Sequence, residues 1–114
     1  MIYDYEVKEV QTFDRNKPYW SKHYNLVLAD LPHEIVEYNI ATQYNKDTNT
    51  SELFLIVYEH KVIKALPVKK HSNGKYKFYF GHYLPVKNED YNVKLEYVES
   101  RDNPACHIYK VSVN

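Results

Sequence analysis

Apolar and polar side chains alternate with a period of two along most of this chain, a pattern that fits half-buried strands and does not fit amphipathic helices. The opening segment sets Met1, Tyr3, Tyr5 and Val7 against Asp4, Glu6 and Lys8, and in HYNLVLA Tyr24, Leu26 and Leu28 share a face. In EIVEYNIATQY, Val36, Tyr38, Ile40, Thr42 and Tyr44 alternate with Glu37, Asn39, Ala41 and Gln43. That segment is rich in β-branched and aromatic residues, which favour a strand. Asp30, Leu31 and Pro32 before it form a helix-start signal, so a helix over 31–44 and an α+β fold are the alternative.

ELFLIVYE is apolar almost without interruption, as expected of a central strand covered on both faces. NKDTNT ahead of it reads as a hairpin loop. VIKALPV opens the next strand, 62–72, in which Pro67 cannot donate to a ladder and so marks an edge or a strand end. Asn73-Gly74 is a strong hairpin signal of the type I′ kind, and residues 75–83 follow as a strand. YNVKLEYVE and CHIYKVSV complete the set, joined by the turn SRDNPA. The expected fold is all-β, an antiparallel sandwich or small barrel of about eight strands. With 114 residues and no linker-like tract it forms a single domain, 1–114.

GKYKFYFGHYLP, residues 74–85, divides by parity. Tyr76, Phe78, Phe80 and His82 point one way and are the expected core. Lys75, Lys77, Tyr79 and Tyr83 point the other way, either as a solvated face on which lysine stems cover tyrosine rings or as a recognition surface.

The charge layout sharpens that choice. The chain has no net charge, yet residues 60–88 hold seven lysines (61, 64, 69, 70, 75, 77 and 87) and no acid. Residues 1–59 carry ten acids against five bases, and 89–114 five against three, so −5 + 7 − 2 closes to zero. An acidic patch on a partner protein fits this stripe. Lysines interleaved with tyrosines also suit a nucleic-acid backbone, which makes the hairpin 61–77 a second candidate. Only two arginines and a pI near 7.0 weigh against it. A third aromatic group, Tyr19 and Trp20 in NKPYWSKHY, reads as a loop plug or a binding hot spot.

Catalytic and metal patterns are weak. His23, His33, His60, His71, His82 and His107 are scattered, with no HExxH and no cysteine pair, so neither metal nor cofactor is expected. A site of His60, His71 and Glu59, or a small hydrolase using a histidine with Cys106 or a carboxylate, is the residual enzymatic reading. Cys106 and His107 are adjacent and would face opposite ways in a strand.

The single cysteine fits a reducing compartment, and MIYDYEVKEV has no basic segment leading into an apolar run, so a cytoplasmic protein without membrane contact is expected. Thirteen tyrosines, thirteen lysines and ten asparagines are the bias of AT-rich coding sequence, as in low-GC bacteria and their phages. The resulting expectation is a non-catalytic protein-binding domain, in the manner of a phage or mobile-element inhibitor of a host protein. It would dock through Lys69, Lys70, Lys75, Lys77, Tyr79 and Tyr83, with Tyr19 and Trp20 as a further contact. Exposed rings also allow a homo-oligomer.

Overall fold

The computed structural model describes residues 2–12, 23–84 and 92–113. Among these residues there are nine strands, all paired antiparallel, and no α-helix. The longer strands are β1 (Ile2–Thr12), β2 (His23–Ala29), β3 (Glu37–Asn45), β4 (Thr50–Tyr58), β8 (Asn92–Arg101) and β9 (Cys106–Val113). The short ones are β5 (Leu66–Pro67), β6 (Lys69–Lys70) and β7 (Tyr76–Tyr79). The spatial order is β5-β3-β4-β9-β8-β1-β2-β7-β6, folded into a sandwich of two sheets.

The sheets are joined through β1. Its first half, Ile2–Glu6, pairs with β8, and its second half pairs with β2 from Val7 to Thr12. The register slips between Val7 and Glu9, where one extra residue bends the strand from one sheet to the other.

The two ends of the ladder are covered by neighbouring pairs of residues. β5 lies along β3 and β6 along β7, with only Val68 between them, and Val68 N–H donates to the Val36 carbonyl at 2.9 Å. Pro67 therefore sits at an edge, as a residue without an N–H must. Two tyrosine hydroxyls bind the ends together. Tyr38 of β3 accepts from Tyr79 N–H of β7 at 3.0 Å, and the Tyr76 hydroxyl accepts from Ile35 N–H at 3.3 Å while donating to the His33 carbonyl at 3.1 Å.

The core lies between the sheets. Leu55, Val57, Val93, Leu95 and Tyr109 from one sheet meet Val27, Ala29 and Phe78 from the other, all fully buried. The expected inward face of the aromatic stripe is in place at Tyr76, Phe78 and Phe80. The rings of Tyr38 and Phe78 meet edge to face, with centroids 5.1 Å apart.

Residues 31–44 are not helical. Leu31 and Ile35 enter the core from an irregular segment, and β3 begins at Glu37. The backbone there finds partners across the sandwich: Val36 N–H donates to Tyr58 and Ile35 N–H to Tyr76, leaving no need for a helical ladder.

Three other expectations need correction. The strand read at 62–72 is broken into β5 and β6, because its residues serve two edges in turn. The strand read at 75–83 ends at Tyr79; Phe80 takes α-region angles, Gly81 has φ 57°, and Gly81–Tyr83 form a 3-10 turn. The β6–β7 hairpin turns at Asn73-Gly74, but only Gly74 has positive φ (88°). A type I′ turn needs two such residues, so this is another turn, closed by Asn73 Oδ1 accepting from Lys75 N–H at 3.0 Å.

Candidate binding surface

β7 and the edge around it hold most of the residues expected to dock a partner. Lys69 stands opposite Lys77, and on the other side of β7 Lys77 pairs with Leu28 and Tyr79 with Leu26. Paired residues share a face, so Lys69, Lys77 and Tyr79 project together. Lys69 is exposed, while Lys75, Lys77 and Tyr79 are half-buried. Leu26 and Leu28 on that same face are buried, so it is not an open, flat sheet.

Lys70 departs from the expected group. It pairs with Tyr76, the core-facing parity, and its ammonium lies over the Tyr76 ring, 5.2 Å from the centroid. Tyr83 is 54% exposed, but the 3-10 turn presents it, not the strand. Tyr19 and Trp20 lie outside the described residues.

Among the described residues the ion pairs are Arg101 with Glu99, Lys110 with Glu52, and His107 with Glu59. None involves a lysine between 61 and 77. Among the described residues, the positive charge of this segment is therefore not neutralised by carboxylates across the sheet.

The continuous apolar run of β4 behaves differently from expectation. Leu55 and Val57 are buried on the inner face, but Phe54 and Ile56 on the outer face are only half-buried. They line a shallow groove of about 440 Å³ with Ala41, Val98 and Ile108, and Glu99 and Arg101 stand at its rim. The run signalled this surface in the sequence; reading both faces as covered hid it.

A second polar cluster joins residues far apart in sequence. The rings of His33 and His107 stack in parallel, 3.6 Å between centroids. His33 Nε2 lies 2.6 Å from the hydroxyl of the fully buried Tyr109, and His107 Nδ1 lies 2.6 Å from Ser100 Oγ. Glu59 Oε2 is 3.7 Å from His107 Nε2, too far for a good hydrogen bond, and that nitrogen is buried without a partner. Glu59 thus meets His107 and not His60 or His71. The Ser100 hydroxyl also bonds that of Tyr97, so it is held on two sides. Cys106 is buried in β9. Among the described residues no three His, Cys, Asp or Glu side chains are placed to hold a metal ion.

Burial, with the adjacent His107, holds the His33 pKa below its ordinary value of 6.5, and Glu59 offsets this in part. A base with a lowered folded pKa stays neutral in the folded state while the unfolded chain takes up protons. The stability tied to His33 is then complete above the unfolded pKa of about 6.5 and is lost as pH falls below it. The expected result is a melting temperature that drops between neutral and mildly acidic pH, with a smaller drop in His33→Gln. An equal drop in that variant would assign the effect to other groups.

Among the described residues no helix is long and apolar enough to cross a membrane. Compared with protein-family models, curated proteins and solved structures, the chain matches none.

Proposed function

We propose that this is a non-catalytic protein-binding domain that docks its lysine-bearing edge onto an acidic surface of a partner protein. The observation that carries this reading is the pairing of Lys69 directly opposite Lys77, with neither in an ion pair among the described residues. Like charges opposite one another destabilise a sheet, by roughly 0.2–1 kcal/mol. Edge lysines blunt stray pairing, but Lys77 lies on β7, inside the edge strand β6, so edge protection does not account for it. A carboxylate-rich partner would relieve the repulsion on binding, and Tyr79 and Tyr83 add ring surface beside it. Inhibition of a host enzyme, as by the small proteins of phages and mobile elements, is one use of such a domain.

Lys69→Glu tests the reading because it separates folding from binding. It turns the repulsive pair into an attractive one, so thermal stability should hold or rise slightly, while affinity for the captured partner should fall at least tenfold. Capture from nuclease-treated lysate of a low-GC bacterium, followed by titration of the purified partner, supplies both numbers. Partner affinity unchanged by Lys69→Glu would remove this edge from the interface. Capture abolished by nuclease, with binding that falls steeply with salt, would instead assign the lysines to nucleic acid.

A further inference from the structure

β3 has a free edge. Its partner β5 covers only Glu37 and Tyr38, whereas β4 runs alongside it over its whole length. Along Asn39–Asn45 the alternate N–H and C=O groups that point away from β4 have no strand partner among the described residues, and Thr42, Gln43 and Tyr44 are exposed there. The stretch NIATQYN contains no charge, no proline and no bulge, the usual means by which edges are protected. The opposite end of the ladder, by contrast, carries Lys69 and Lys70.

We infer that this edge is a homodimer interface, in which β3 pairs antiparallel with β3 of a second copy about a two-fold axis at Thr42. The register follows from the ends of the free stretch. Leu66 blocks pairing at Tyr38, and the strand turns away after Asn45, so the midpoint is Thr42. A two-fold interface requires a strand that complements itself. About this centre Ile40 meets Tyr44, Ala41 meets Gln43, and Thr42 meets its own copy. Aromatic with β-branched, and threonine with threonine, are favourable cross-strand pairs.

Polar contacts fix both ends of the free stretch. At one end of the stretch Val62 N–H donates to Glu37 Oε2 at 3.1 Å, which holds the loop bearing Lys61 and Lys64 against β3. At the other end Asn45 accepts from Asp47 N–H at 2.9 Å and donates to Glu52 at 2.8 Å. Antiparallel pairing about Thr42 brings the loop bearing Lys61 and Lys64 of each copy to the hairpin that carries Lys46 and Asp47 in the other, with Glu37 opposite Asp47, so charges of both signs meet there, while Glu52 stays with Lys110. A chain of zero net charge also meets no overall repulsion from its copy. The groove of Ala41, Phe54, Ile56 and Ile108 ends at this edge, so the pair would extend it across the axis.

The test is mass against concentration by sedimentation equilibrium, with Thr42→Lys and Thr42→Glu. Wild type should shift from 13.7 kDa toward twice that mass as concentration rises. Each variant alone sets like charges opposite one another and should raise the dimer dissociation constant at least tenfold, and an equimolar mixture of the two should restore the dimer. Rescue by mixing shows that both variants are folded; Tyr44→Lys, also on the exposed edge, is an independent variant expected to dissociate the dimer. A wild type that stays at 13.7 kDa throughout, or a dimer indifferent to all three substitutions, overturns the inference. The outcome is separable from the docking reading, since Lys69→Glu should leave the mass unchanged and Thr42→Lys should leave partner affinity unchanged.

Discussion

Phe78→Ala should remove about 3–5 kcal/mol of stability, the range for emptying a large aromatic site in a packed core. Phe78 has no solvent exposure, pairs with Val27 across the sheet, and receives the Tyr38 ring edge-on at 5.1 Å and the Tyr76 ring tilted at 6.4 Å. Those neighbours belong to different strands whose backbones are fixed by their ladders, so they cannot collapse into the space left behind. Domains of this size have a total stability of roughly 5–15 kcal/mol, so the variant should melt far below wild type or fail to fold. Urea unfolding read by far-ultraviolet dichroism gives the value. A loss under about 1 kcal/mol, the level of an ordinary surface change, would mean that the two sheets do not close over this ring.

Tyr38→Phe is the second large effect, and it isolates a single oxygen. The ring remains, yet Tyr79 N–H loses the acceptor that joins the two ends of the ladder. The bond is part-buried, so its loss should cost about 0.5–1.5 kcal/mol, the net worth of an ordinary hydrogen bond. The substitution should also change behaviour in alkali. Burial, foremost, raises the Tyr38 pKa above 10.0, only partly offset by the hydrogen bond from Tyr79. An acid with a raised folded pKa contributes stability that is lost as pH climbs past its unfolded value. That part of the alkaline loss should be missing in Tyr38→Phe. A variant as stable as wild type at neutral pH would show that water replaces the hydroxyl at this seam.

The longer strands are legible in the alternation itself. β2 and β9 match the segments read from sequence, and Tyr76, Phe78 and Phe80 are buried as their parity required. Alternation failed at 62–72 and 80–83 for a local reason: a strand period persists through residues that pair only briefly or curl at a glycine, and nothing in composition marks where pairing stops. The histidine cluster was illegible for a different reason. His33 and Tyr109 are separated by 76 positions, and their meeting depends on the irregular segment before β3 lying over β9. The lysine edge lay between these cases: its charge was plain in the sequence, but the Lys69–Lys77 opposition needed the β6–β7 register.

Five consecutive residues, Leu66–Lys70, cover both ends of the ladder. Proteolytic nicking or local opening at this one strap would uncover β7 at Tyr76 and Lys77 and lengthen the open edge of β3 through Glu37 and Tyr38, two templates for intermolecular strand addition changed by a single event. The hazard of aggregation thus rises with the opening of a segment held by few backbone bonds. Limited proteolysis and the onset of turbidity should therefore track each other in this protein, whatever the stability of the core beneath.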